Sequence, residues 1–278
     1  ERKIATRKMK VYATIVNEID QNIQHVVSYL ESTGELDNTF ILFMSDNGAE
    51  GKLLEAIPMM GTVGNMKQII ERFYDNSFDN IGNHDSFVWY GPRWACAATA
   101  PSRGFKTWIT EGGIRCPCVV RYPRFAPQQA RNRISNSFTT VMDILPTVLD
   151  LAGASIPDPS KPFRGRSIVP VRGKSWAEHL ESADPYATSV HGEDTHIHGW
   201  ELFGLQAIRK GPWKAIYMPP PRGTNEWELY NLDRDPGEIN NKATEEPQIL
   251  EELIRHWEQY YAETGMIDIN VGFGVTKG

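Results

Sequence analysis

The stretch that most constrains this chain runs from Thr39 to Gly48. Thr39 to Met44 is an almost wholly apolar run of branched and aromatic side chains, with Asn38 closing a turn before it and Gly48 opening one after it. A run of this kind between turn residues predicts a short strand buried on both faces. It stops on Ser45, Asp46 and Asn47. In an open α/β sheet, ligands collect just beyond the carboxyl ends of the strands, so Asp46 and Asn47 stand where such a sheet presents its chemistry. One carboxylate beside one amide carbonyl supplies two hard oxygen donors of the kind that Ca²⁺ or Mg²⁺ takes. Asp-Asn-Gly is also ordinary turn chemistry, in which Asp46 bonds its own backbone, and the residues alone leave both readings open.

Around this stretch the pattern is α/β. Tyr12, Ile15, Ile19, Ile23, Val26 and Leu30 recur at three- and four-residue steps and predict a helix over residues 4–31, ended by Gly34. Helix, turn and buried strand form half of a βαβ unit and argue for a partly parallel sheet. Residues 52–103 are weakly patterned, with Phe87, Trp89, Tyr90 and Trp94 clustered around Gly91-Pro92. Long excursions of this kind are often functional, and Trp89 and Trp94 are candidates for a substrate entrance; a satellite hydrophobic cluster is the alternative. Lys106 to Thr110 reads as a strand, and Val119-Val120 as a short strand at a sheet margin. Asp143 is placed to cap a helix that stops at Gly153. A proline- and glycine-rich stretch over 154–175 then predicts a boundary, dividing the chain into 1–175 and 176–278. Beyond it, 203–208, 213–218 and 226–232 are strand-like, and 248–263 is an amphipathic helix with Leu250, Leu253, Trp257 and Tyr260 on its apolar face. The expected architecture is part of a large mixed sheet flanked by helices, followed by a small α+β unit with an antiparallel sheet.

A net charge of −6 argues against nucleic acid or an anionic membrane as partner, and no run is long enough to cross a bilayer as a helix. Cys96, Cys116 and Cys118 make no even disulfide framework, and no Asn-x-Ser/Thr acceptor occurs. Both facts lean towards a reducing, cytoplasmic compartment. The chain opens on Glu1 without a Met and is expected to be a fragment or a processed chain.

The ordered motifs resemble a sulfatase of the alkaline phosphatase superfamily, most closely a bacterial-type arylsulfatase. The resemblance is carried by Phe43-Met44-Ser45-Asp46-Asn47-Gly48-Ala49-Glu50-Gly51 and by Tyr90-Gly91-Pro92-Arg93-Trp94-Ala95. It continues through Lys106, Glu111-Gly112-Gly113-Ile114-Arg115, Trp213-Lys214-Ala215 and Asp235-Pro236-Gly237-Glu238. It implies hydrolysis of small sulfate esters by a formylglycine made from Cys or Ser within a Cys/Ser-x-Pro-x-Arg motif. It also implies a divalent ion, usually Ca²⁺, held by three aspartates and one asparagine. Asp46 and Asn47 match two of those ligands. Lys106 matches the lysine that grips the sulfate and helps the leaving oxygen depart; without the resemblance it reads as a solvated surface lysine.

The cysteines fail the nucleophile search: Cys96 is followed by Ala97-Ala98, Cys116 by Pro117-Cys118 and Cys118 by Val119-Val120. The chain is therefore expected to lack the Cys/Ser-x-Pro-x-Arg motif, to carry only the carboxyl-terminal half of the site, and to be inactive without the amino-terminal half of the same protein. A phosphate or phosphonate ester hydrolase of the same superfamily, and a non-catalytic chain, are the competing functions. Glu111 and Arg115 are expected to brace the Lys106 strand as an ion pair. His191, Glu193, Asp194, His196 and His198 are a candidate transition-metal cluster, weighed against an ordinary polar loop.

Overall fold

The computed structural model describes residues 1–51, 66–123, 133–182, 184, 189–192 and 195–266. A long helix, α1 (Arg2–Ser32), leads through a 3₁₀ turn at Leu36–Asn38 into strand β1 (Ile41–Met44). Helices α2 (Met66–Phe73), α3 (Pro92–Thr99) and α4 (Glu111–Ile114) precede strand β2 (Cys118–Arg121). A 3₁₀ turn at Val141–Asp143 opens α5 (Ile144–Leu151), and α6 (Ala177–Glu181) follows. Strands β3 (Ile197–Leu202), β4 (Leu205–Lys210), β5 (Trp213–Tyr217) and β6 (Trp227–Asn231) form an antiparallel meander, and α7 (Pro247–Thr264) closes the chain. No helix among the described residues is long and apolar enough to cross a membrane.

The meander has two packed faces because side chains alternate along each strand. On one face Ile208, Ala215 and Leu229 pack beneath Leu253 and Trp257 of α7. On the other, Leu205, Ala207, Ile216, Met218 and Tyr230 enclose Ile109, with Trp108 packed alongside. Ile109 belongs to the segment that carries Lys106, so the second face of the meander is the floor under that segment.

Several sequence expectations change here. Strand β1 is not buried on both faces: Phe43 is 48% exposed. Its partner is β2, antiparallel, with Phe43 opposite Val119, and both sheets among the described residues are antiparallel. An apolar run reports burial potential but not which neighbour supplies the burial. Lys106 to Thr110 is not a strand; it is a turn that runs into α4, with Thr107 at φ 71. Strand β3 occupies 197–202, where the histidines had suggested a loop, and Phe203-Gly204 form the tight β3–β4 turn at φ 55 and 80. Asp143 is not a simple cap. It is the third residue of a capping box with Thr140, whose N–H donates to Asp143 Oδ2 at 2.6 Å.

Candidate functional site

The Asp46–Asn47 loop and the Lys106 turn, 60 residues apart in sequence, are backbone neighbours. The Lys106 N–H donates to the Ala49 carbonyl at 2.9 Å. Two further bonds tie the strand end to the α4 region: Gly48 N–H to Gly113 O at 3.0 Å, and Ser45 N–H to Pro117 O at 3.2 Å. The Gly112 N–H in turn donates to Arg103 O at 2.8 Å, closing the turn on itself. Three strands of backbone thus meet at Gly48 and Gly112, and no side chain fits between them. A Cβ on Gly48 would lie 1.8 Å from the Gly112 carbonyl oxygen, and one on Gly112 would lie 2.3 Å from Gly104 O. Gly48→Ala should therefore cost about 1–3 kcal/mol by forced backbone displacement. Urea unfolding of the variant against the parent checks this, and an unchanged midpoint would contradict it.

At the rim, the Lys106 ammonium lies 3.2 Å from Glu50 Oε2, with both side chains more than a third exposed. Solvent screening makes such a pair weak, so an incoming anion can replace the carboxylate. Ser45 Oγ donates to the Asn47 carbonyl at 2.7 Å and fixes the bend. Among the described residues, the Asp46 carboxylate and the Asn47 amide make no side-chain hydrogen bond. That leaves two hard oxygen donors uncommitted, a donor set that suits Ca²⁺ or Mg²⁺. Two donors are only part of a coordination shell, and no group of three or more His, Cys, Asp or Glu among the described residues is arranged to hold a metal. Burial, and then the Asp46 charge, push the Cys116 thiol above its ordinary range, so the cysteine behind the loop is held as a neutral thiol.

Trp89 and Trp94 lie against α1. Trp94 Nε1 donates to the Ala5 carbonyl at 3.2 Å, and the Lys8 ammonium sits 5.1 Å above the Trp89 ring. The expected Glu111–Arg115 pair does not form. Arg115 Nη2 donates to Asn136 Oδ1 at 3.0 Å, while Glu111 pairs with the fully buried Lys214 at 2.8 Å. In the sequence, Lys214 and Glu238 stand out only as parts of the Trp213-Lys214-Ala215 and Asp235-Pro236-Gly237-Glu238 motifs. A lysine in a strand between Trp213 and Ala215 was the one available hint that an ammonium is buried there.

The histidine cluster is a ring stack. Glu193 and Asp194 lie outside the described residues. His191 and His196 are 4.2 Å apart at 33°, and His198 lies 4.5 Å from Trp200 at a tilt of 58°. His191 Nε2 is taken up by the Asp143 carboxylate at 2.9 Å, and no group of three or more metal-ligating side chains forms among the described residues.

The expected absence of a Cys/Ser-x-Pro-x-Arg motif does not hold. Ser160-Lys161-Pro162-Phe163-Arg164 does spell Ser-x-Pro-x-Arg. It sits in a self-contained surface turn. Ser160 donates its Oγ to Asp158 Oδ1 at 2.7 Å, Lys161 reaches Asp158 at 3.6 Å, and Phe163 bridges to Arg166. Every one of these partners lies within residues 158–166.

Comparison with known proteins now places the chain. The family described as Sulfatase matches residues 1–154, and N-sulphoglucosamine sulphohydrolase, C-terminal, matches residues 104–263. The chain belongs to the sulfatase family, within the alkaline phosphatase superfamily. Among its relatives, an uncharacterized sulfatase of Schizosaccharomyces pombe is 53% identical over 267 residues, covering 96% of this chain and 46% of the relative. An arylsulfatase of Klebsiella aerogenes is 31% identical over 176 residues, covering 63% of this chain and 35% of the relative. The solved structure of Ps i-CgsB in complex with k-i-k-neocarrahexaose shares the fold at a TM-score of 0.60 and 22% identity, over 90% of this chain and 42% of that one. The chain thus spans less than half the length of these relatives.

Proposed function

We propose that this chain supplies one side of a sulfuric ester hydrolase site: Asp46 and Asn47 as ligands of a divalent ion, Ca²⁺ or Mg²⁺, and Lys106 as the cation on the sulfate. The observation that carries it is the Lys106–Ala49 backbone bond, which brings the lysine onto the loop that bears the two free oxygen donors. When bound, the ion would polarise the sulfate oxygens. Lys106, released from Glu50, donates an N–H to a sulfate oxygen and stabilises the negative charge that builds on the ester oxygen as the S–O bond breaks. The substrate class is a small sulfate ester. One solved relative is described in complex with its substrate D-glucosamine-2-N,6-O-disulfate, and another relative is an arylsulfatase.

The attacking group and the remaining ligands come from the amino-terminal half of the same protein. Helix α1 offers that half a surface: it has no buried residue, and Ile15, Val16, Ile19, Val26 and Tyr29 are all at least 45% exposed. Apolar exposure of that extent along one helix marks an interface.

The test uses a protein carrying both this chain and the half of its relatives that the chain does not span. It should hydrolyse p-nitrophenyl sulfate faster than p-nitrophenyl phosphate, lose activity to a chelator and regain it with Ca²⁺. Faster phosphate turnover would make it a phosphate ester hydrolase. Residues 1–278 alone should release no p-nitrophenol. Release that Ser160→Ala abolishes would instead put the nucleophile on the 158–166 turn and end this division of the site.

A further inference from the structure

Lys214 is completely buried as the second residue of β5, on the face of the meander that supports Ile109 and Trp108. Its ammonium donates to Glu111 Oε1 at 2.8 Å and to Glu238 Oε1 at 2.9 Å. Glu238 Oε2 accepts the Glu111 N–H at 2.8 Å, closing a three-residue ring of bonds. A lysine in such a place is costly unless both its charge and its protons are met, and here two carboxylates meet them. Burial works against the Lys214 charge, but Glu111 and Glu238 outweigh it and hold the ammonium above its ordinary range. Burial pushes Glu238 up, while Glu111 is brought down by Lys214 against its own burial.

What this ring holds is specific. Glu111 is the first residue of α4, and the next two are Gly112 and Gly113. Gly113 receives the Gly48 N–H from the Asp46–Asn47 loop, and Gly112 donates into the Lys106 turn at Arg103. Arg222 adds a second hold on the same turn from the meander side, donating to Thr107 Oγ1 at 3.2 Å. The Lys106 side chain lies on the exposed rim of this assembly, paired with the part-exposed Glu50.

We propose that Lys214 is a positioning residue for the sulfate site, holding through Glu111 the glycine turn against which the Asp46–Asn47 loop and the Lys106 turn both close. This rests on the sulfatase reading for its functional consequence but not for its structural one. The small carboxyl-terminal sheet is therefore part of the catalytic frame. Lys214 touches no substrate; it fixes where the metal-binding oxygens stand relative to the lysine that grips the sulfate.

Amide hydrogen exchange on residues 1–278 tests the hold directly. In Lys214→Met, the Gly48 and Lys106 amides should exchange about tenfold faster or more, while the β3 and α7 amides keep their protection. Unchanged exchange at Gly48 and Lys106 overturns the proposal. Acceleration spread equally over β3–β6 also overturns it, since Lys214 would then only maintain the sheet. Glu111→Gln covers the case in which Lys214→Met does not fold. It leaves Lys214 paired to Glu238 and should still speed exchange at Gly48 and Lys106, by about threefold. In the protein carrying both halves, Lys214→Met should lower kcat with little change in KM, because misplaced groups cost more in the transition state than in the ground state. A KM effect alone would overturn the positioning role. If the unsubstituted protein turns over no sulfate ester, the sulfatase reading fails, and the exchange result still decides whether Lys214 holds the two loops.

Discussion

Lys106→Ala should lower kcat/KM for a sulfate ester by about 10²–10³-fold in the protein that carries both halves of the site, with folding stability almost untouched. The two halves of this expectation have separate causes. The Lys106 side chain is 43% exposed and, among the described residues, pairs with Glu50, itself 36% exposed, so its removal leaves no buried charge behind. On the proposed reading its catalytic worth is larger, because charge builds on the ester oxygen as the S–O bond breaks and a fixed donor stabilises that charge. Lys106→Arg separates charge from geometry. The planar guanidinium keeps the charge but places its donors differently, and the variant should recover only part of the loss. Steady-state kinetics on p-nitrophenyl sulfate, alongside urea unfolding, reads both. A Lys106→Ala variant with full turnover would remove the lysine from the mechanism. One that is inactive and also unfolded early would show that its role is structural.

Elements fixed by local pattern were legible in the sequence. The apolar stripe from Tyr12 to Leu30 marked α1, the stripe from Leu250 to Tyr260 marked α7, and Gly265 ended α7 at φ 65 as a left-handed terminator should. The β4, β5 and β6 segments were legible because turn residues punctuate them. Strand β3 was not: His196 and His198 look polar in sequence, but their half-buried rings pack at a tilt against Phe138, and His198 also against Trp200. Lys106–Thr110 misled in the opposite sense. Its apolar residues, the half-buried Trp108 and the buried Ile109, pack on the meander as a folded turn, and alternation over so few residues cannot separate a strand from such a turn.

The site shows the same division. The apolar run before Asp46 and Asn47 marked them as candidate oxygen donors but left an ordinary turn open, and Lys106 read as a surface lysine; the family motifs decided between these readings. Their adjacency depends on tertiary contacts at Gly48, Ala49 and Gly113, none of which leaves a periodic trace. Lys214 and Glu238 were harder still. A buried ion pair is defined by what surrounds it, and its partners here lie 103 and 24 residues away in the chain.

Acidification should destabilise this protein between about pH 6.5 and pH 4, and the histidine stack is the cause. His198 is held down to about 4, first by burial and then by the neighbouring charges of His196 and His191. His196 is lowered as well, again mainly by burial, with His191 and Lys174 adding to it. Arg209, 5.0 Å over the Phe138 ring, presses in the same direction, while Asp143 opposes it. A histidine whose folded value lies below its unfolded value binds its proton more readily in the unfolded chain. Stability is therefore complete above the unfolded value and falls as the pH drops towards the folded one. For His198 the ceiling is about 3 kcal/mol, taking 1.36 kcal/mol per pH unit across that interval. Asp143 has the contrary origin: the His191 ring and the Thr140 and Lys174 N–H groups overcome its burial and hold its carboxyl low. Its contribution is lost only below the ordinary carboxylate range, so the two effects occupy different windows. Urea unfolding at about pH 7.5, 5.5 and 4.5 should show the parent protein losing about 1–3 kcal/mol across the series. His198→Gln cannot charge, so it should start lower for its altered packing but lose less on acidification. Equal losses in both proteins would move the acid sensitivity away from His198.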